Sequence, residues 1–314
     1  MGKLNLSEFK VKYPLVVICG PTASGKTNFS YRFYDEIDSE IISADSRQIY
    51  KYLNIGTAKP SIEELQKYQY HLIDFLELTD EFSAGKFVEL AEEKIDVIYS
   101  KNKIPLIVGG TGFYISALCE GLMKTESDHI YYDKVTYEEV RQLDKEEMYL
   151  MLNRIDPESA KIYSDKNPRR LIRALEFYYK TGTKISEARK KTINTIYTPI
   201  YFAIDLPREV LYRNINNRCL QMIGDGLIDE VKSVLEMGYN KNLNSLNTVG
   251  YKEIFLYLDN KISLDAAVNE MQKNTRRYAK RQLTWFKRNE NIHWIEGNTL
   301  DKTNISELLK KYLK

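Results

Sequence analysis

Gly20-Pro21-Thr22-Ala23-Ser24-Gly25-Lys26-Thr27 sets two glycines, a lysine and a hydroxyl at fixed spacing. The pattern Gly-x4-Gly-Lys-Thr is that of a loop whose backbone N–H groups turn inward around phosphate oxygens. Its lysine neutralises a terminal phosphate and its Thr, here Thr27, reaches Mg2+. The context agrees. Leu15 to Cys19 is a continuous apolar run of the kind buried on both faces, and a helix is expected from about Lys26 to Tyr34. That helix would add the positive potential of its N-terminus. The loop implies that a di- or triphosphate binds. It leaves open whether a nucleoside triphosphate is consumed, as by a small-metabolite kinase, or whether another diphosphate sits in the same cradle.

Two further sites fall at strand ends. Asp45 ends the expected strand Glu40 to Ala44, on the edge where α/β sheets place ligands. Such a carboxylate can take a proton, cap a turn, or stand behind a metal ion. Ser46, Arg47 and Gln48 follow it, and a Gln can read an adenine edge with two hydrogen bonds. Thr111, after Gly109-Gly110, closes the strand Ile104 to Val108 and is placed to cap the next helix.

Strands are also read at Tyr70 to Asp74, Tyr201 to Asp205 and Ile292 to Glu296. Helical patterns lie between most of them, which predicts an α/β fold with a parallel sheet covered by helices. The alternation fails from about Leu122 to Thr192, a polar, Tyr-rich, helical stretch. The expected organisation is a first part of the α/β core over 1–121, a helical insertion over 122–192, and core completion with C-terminal helices over 193–314. A helix over Arg213 to Met222 is expected, and Ser263 is placed to cap a long helix starting at Leu264.

Hydrophobic residues are 43% of the chain and charged residues 29%, enough for a real core and too apolar for global disorder. Three cysteines at Cys19, Cys119 and Cys219 form no CxxC pair, so neither a zinc ribbon nor a disulfide framework is legible. His129 and His293 have no partner at metal-ligand spacing. No signal peptide or membrane span is read, so a cytoplasmic location and no membrane partner are expected. A monomer is expected.

The motifs occur in a telling order. The phosphate loop is followed by Ser43-Ala44-Asp45-Ser46-Arg47-Gln48-Ile49-Tyr50, Asn54 to Pro60, Tyr70 to Asp74 and Val108-Gly109-Gly110-Thr111-Gly112-Phe113-Tyr114. Arg169 to Glu176, Gly250 to Glu253 and Thr275 to Phe286 come later. In this order they resemble the bacterial tRNA dimethylallyltransferases, also called isopentenyl-diphosphate:tRNA transferases, over nearly the whole chain. The resemblance implies a P-loop NTPase-like core. It implies transfer of a dimethylallyl group from dimethylallyl diphosphate to N6 of the adenosine 3' of the anticodon, at tRNA position 37. The P-loop would then hold the leaving diphosphate with Mg2+, and Asp45 would be the general base. The resemblance also places Thr111 at the target nucleotide and Arg218 on the diphosphate. Adenylate prenyltransferases acting on free nucleotides share this core and remain an alternative, as does the kinase. His71, in the strand at Tyr70, reads as a structural histidine.

Net charge is only +2, yet cations cluster. Lys273, Arg276, Arg277, Lys280, Arg281, Lys287 and Arg288 lie together with Tyr278, Trp285 and Phe286 and no acid; nine cations stand between Lys166 and Lys191. Such stretches suit an RNA backbone and a splayed base, and also suit a solvated helix face. By the resemblance, tRNA contacts run through Asp45 to Gln48, Thr111, Arg169-Arg170-Leu171-Ile172-Arg173, Asn247-Thr248-Val249-Gly250-Tyr251-Lys252 and Lys280-Arg281-Gln282-Leu283-Thr284-Trp285-Phe286-Lys287. One segment departs from the family pattern. Met123 to Tyr132 lacks the usual Pro and Arg, with Tyr132 and Lys134 as candidate substitutes.

Overall fold

Six apolar runs form one sheet: β1 (Pro14–Cys19), β2 (Ser39–Ser43), β3 (Tyr70–His71), β4 (Ile104–Gly109), β5 (Thr198–Asp205) and β6 (His293–Glu296). They lie in the order β3-β2-β4-β1-β5-β6, and every neighbouring pair is parallel. The computed structural model describes residues 3–121, 139–140, 142–190 and 195–314. Every residue of β1, β2 and β4 is buried, as strands covered on both faces require. β3 is shorter than the run Tyr70 to Asp74 suggests. Leu72 and Asp74 take left-handed backbone conformations (φ 58° and 55°), which no strand can continue through.

Helices α1 (Lys26–Glu36), α2 (Ile62–Lys67), α3 (Ala84–Ser100) and α4 (Gly112–Glu120) follow the first strands. Phe29 and Phe33 of α1 join Val16, Ile18, Leu106 and Phe202 in one apolar cluster. α3 buries Phe87, Ala91, Ile95 and Ile98, none of which is in that cluster. At the start of β2, Glu40 is buried and accepts from His71 (2.8 Å), Lys101 (3.0 Å) and Lys103 (3.2 Å). Burial disfavours its charge, but these three bonds prevail and hold the carboxyl below its ordinary range. His71 therefore has a structural partner.

Contacts divide the chain into two units, Met1–Cys119 with Ile196–Lys314, and Glu120–Thr195. The second contains α5 (Lys145–Ile155), α6 (Pro157–Ile162), α7 (Pro168–Thr181) and α8 (Ile185–Lys190). Its own core includes Met148, Leu152, Leu171, Leu175 and Phe177. The first unit resumes with β5 and then α9 (Arg208–Gly224), α10 (Leu227–Glu236), α11 (Tyr251–Leu258), α12 (Leu264–Phe286) and α13 (Ile305–Leu309). Ser263 caps α12, its hydroxyl accepting from the Ala266 N–H at 3.2 Å. α9 to α12 bury a further cluster with Ile49, Tyr50, Leu53 and Leu78. Among the described residues no helix is long and apolar enough to cross a membrane. His129, Tyr132, Lys134 and the departing segment lie outside the described residues.

Candidate active site

Because β2, β4 and β1 are neighbours, three loops far apart in sequence emerge side by side at their C-terminal ends. The registers Cys19↔Gly109 and Ser43↔Val108 make those ends level. Gly109 is required by this closeness. A Cβ there would lie 2.1 Å from the Ala44 carbonyl oxygen, inside any possible contact distance. The Thr111 N–H donates to that same oxygen (3.1 Å), and the Thr111 hydroxyl accepts from the Ser46 N–H (3.0 Å). The turn after β4 is thus bonded to the turn after β2.

The loop after β1 bends through left-handed conformations at Ala23 (φ 61°) and Gly25 (φ 93°) before α1 begins at Lys26. Ser24 is buried and its hydroxyl donates to the Pro21 carbonyl (2.9 Å). Lys26 donates to the same carbonyl (2.6 Å), its ammonium lying across the loop it follows. Burial, then the neighbouring Arg218, pull the Lys26 ammonium down to about 8, while Asp45 and Cys19 pull the other way. Burial also lowers Arg218, which projects from α9, and Asp45 opposes it. Among the described residues neither cation makes an ion pair within contact distance. Two desolvated cations at a helix N-terminus form a receptor for a polyanion. Thr27 is exposed at the same helix start.

Asp45 serves the turn with one oxygen. Its Oδ1 accepts from the backbone N–H of Arg47 (2.8 Å) and of Gln48 (3.3 Å). Its Oδ2 accepts no hydrogen bond among the described residues, so one oxygen is spare for a proton. Burial pushes the phenol of Tyr278 on α12 up to about 12, and the charge of nearby Asp45 adds to the rise. The Arg47 guanidinium donates to the Asn244 carbonyl (2.7 Å). Gln48 departs from the expectation for an adenine reader. Its amide nitrogen already donates to the carbonyls of Thr57 (3.2 Å) and Ala58 (2.9 Å), which removes the donor half of a bidentate contact.

The three later RNA stretches split by burial. Arg169, Arg170 and Arg173 are exposed along one side of α7, whereas Leu171 is buried and Ile172 packs on the core of its unit. Asn247 and Lys252 are exposed. Thr248, Gly250 and Tyr251 are buried, and Val249 packs against the α9–α12 cluster. On α12, Lys280, Arg281, Thr284, Trp285 and the following Lys287 are exposed. Gln282 and Phe286 are buried, and Leu283 packs inward. A helix cannot present eight consecutive residues to one partner. The positions three and four apart, 279, 282 and 286, are its inner face. Leu171, Thr248, Gly250, Tyr251, Gln282 and Phe286, expected among the tRNA contacts, are buried in this structure.

Two structural roles lie outside the expectations from sequence. The Glu230 carboxylate accepts from the backbone N–H of Asn54 (2.9 Å), Ile55 (2.7 Å) and Gly56 (3.0 Å), and from the Tyr251 hydroxyl (2.6 Å). It clamps the Asn54–Pro60 turn, where a Cβ on Gly56 would meet the Tyr251 ring at 2.4 Å. Gln282, expected as an RNA contact, bridges two loops through the Thr22 N–H and the Gly110 carbonyl. Each acts across a long sequence gap, so its partner is not written in any local pattern.

A family model, IPP transferase, matches residues 48–289. The chain belongs to the IPP transferase family. A tRNA dimethylallyltransferase of Natranaerobius thermophilus is 40% identical over 99% of this chain and 96% of its own length. Among solved structures, the tRNA delta(2)-isopentenylpyrophosphate transferase of Staphylococcus epidermidis superposes with a TM-score of 0.69 at 37% identity, covering 96% of this chain and 99% of its own. A eukaryotic dimethylallyltransferase acting on tRNA reaches a TM-score of 0.84 at 27% identity, over 94% of this chain and 77% of its own. In this IPP transferase the phosphate loop, Asp45 and Thr111 therefore belong to one sheet edge of a P-loop NTPase-like core, and the chain is a prenyltransferase by family.

Proposed function

We propose that the protein transfers a dimethylallyl group from dimethylallyl diphosphate to N6 of the adenosine 3' of the anticodon, at tRNA position 37. The observation that carries this reading is the pairing at one sheet edge of a desolvated Lys26–Arg218 receptor with an Asp45 carboxylate that has one oxygen unengaged. A kinase also uses a phosphate receptor and a carboxylate base, so the requirement for a nucleoside triphosphate is what separates the two readings. The allylic C–O bond breaks and diphosphate departs with the electron pair, its charge met by Lys26, Arg218 and the N–H groups of the loop. The N6 lone pair forms the new C–N bond at C1 of the prenyl group. N6 is a weak nucleophile because its lone pair is delocalised into the purine, so its proton must pass to Asp45 as the bond forms. Thr111 accepts from the Ser46 N–H next to that carboxylate, and Tyr278 is near enough to feel its charge.

Mg2+ fits these residues. It keeps most of its waters and commonly takes one or two protein oxygens plus substrate phosphates, and Thr27 offers an exposed hydroxyl beside the loop. When bound it supplies charge to the departing diphosphate.

The tRNA meets the exposed cations of α12 and of α7, with its target adenosine turned out of the loop stack to reach Asp45. Two observables carry the test: the mass of the product nucleoside and the salt dependence of tRNA binding. Arg277 and Lys280 lie three apart on the outer face of α12 and are exposed. Each phosphate contact releases condensed counterion, so tRNA affinity should fall steeply with salt. Replacing both by Ala should flatten the log–log slope by about one unit per contact and change turnover at saturating tRNA much less. Identical slopes for wild type and double mutant would move the docking surface to the second unit's cations between Lys166 and Lys191.

A further inference from the structure

The side-chain amide of Gln282 lies 6% exposed in the wall between the phosphate loop and the turn after β4. Its Oε1 accepts from the Thr22 N–H at 2.9 Å, and its Nε2 donates to the Gly110 carbonyl at 2.8 Å. The orientation of the amide is forced. A backbone N–H can only donate and a carbonyl can only accept, so the reversed amide would make neither bond. The approach is close as well. A Cβ on Gly110 would stand 2.3 Å from Gln282 Nε2, and one on Gly112 2.3 Å from the Trp285 ring. Gly110 and Gly112 thus let α12 come down onto this turn. From Gly110 the bonding continues: Thr111 donates to Ala44 and accepts from Ser46, on either side of Asp45. One chain of hydrogen bonds therefore runs from the phosphate loop, through Gln282, to the turn that carries the carboxylate.

We infer that Gln282 is a positioning residue that holds the diphosphate loop in register with the Asp45 turn, an inference that rests on the prenyl-transfer reading above. By engaging Thr22 it also decides which loop N–H groups face the ligand, since that one is turned away. Gln282 touches no substrate in this arrangement. It acts through two backbone groups, and its helix is the one whose outer face carries Lys280 and Arg281.

Two variants test this. Gln282→Met keeps length and removes both bonds. Gln282→Glu keeps the acceptor for Thr22 but sets a carboxylate oxygen against the Gly110 carbonyl. Protonated Glu is the near-isostere of Gln, with one donor and one acceptor, so lowering the pH should restore the bridge in that variant alone. The probe is inorganic pyrophosphate, titrated into the full chain with Mg2+ at several values between about pH 8 and about pH 5.5, always against wild type to cancel titration of the probe. At neutral pH both variants should bind pyrophosphate about tenfold more weakly and turn over about 100-fold more slowly, the scale of a small misplacement at a reacting centre. Affinity for tRNA alone should stay within about twofold of wild type, because Gln282 is buried. As pH falls, Gln282→Glu should close most of its gap to wild type while Gln282→Met does not. A residue needed only for stability would show no such recovery. Equal pyrophosphate affinity in wild type and variants, or Gln282→Glu failing to recover relative to Gln282→Met, would overturn the proposal. Wild type failing to bind pyrophosphate at all would overturn the diphosphate reading beneath it.

Discussion

Asp45→Asn is expected to lower the rate of prenyl transfer at least 100-fold, the scale of general-base catalysis. The substitution isolates the proton-accepting function. Asn keeps an Oδ1 that can accept from the Arg47 and Gln48 N–H groups, so the turn that Asp45 builds should survive. Affinity for tRNA should change by less than about threefold, since one oxygen is exchanged for a group of equal size. Single-turnover rates with bound tRNA separate the two effects. If the Asn variant kept most of its rate, Asp45 would be a turn-capping carboxylate and the acceptor proton would have another destination.

Lys26→Ala is expected to cost about 3 kcal/mol in the barrier, a loss of 100-fold or more, because the departing diphosphate loses its principal fixed charge. Its pH behaviour gives the prediction a second edge. Lys26 titrates near 8, far below an ordinary lysine, because burial and Arg218 disfavour its charge when no anion is present. A bound diphosphate needs the cation. Below that pH the proton is already there and affinity should be flat on this account. Above it, binding must take up a proton, so pyrophosphate affinity should fall by up to about tenfold per pH unit. Lys26→Ala should bind weakly at every pH and lose the break near 8. A wild-type profile with no break, measured by calorimetry in buffers of different ionisation enthalpy, would show that Lys26 does not face the phosphates.

What the sequence made legible is local. The phosphate loop is continuous from strand to helix, so its residues announce their own geometry, and Asp45 and Thr111 stand at the ends of apolar runs whose termination is plain. The order of strands, which brings those three ends together, follows from parallel pairing and is not written in any one segment. Gln282 shows the limit. It sits among cations in a helix that reads as an RNA face, yet its partner Thr22 is 260 residues away. Its burial was implied by the helical period it shares with Ala279 and Phe286, a signal that the surrounding charges obscured. Glu230 had no signal at all: one of two acids in the first turn of α10, it satisfies three backbone N–H groups of a turn remote in sequence. β3 was overread because Leu72 and Asp74 have strand-like neighbours and left-handed backbones.

The most direct measurement is the mass of tRNA nucleosides after the protein is incubated with unmodified tRNA, dimethylallyl diphosphate and Mg2+, with no nucleoside triphosphate present. The expected result is a single adenosine per tRNA, 3' of the anticodon, gaining one dimethylallyl group in place of one hydrogen, with one diphosphate released for each. A strict requirement for ATP, or prenylation of free adenylate in place of tRNA, would contradict it.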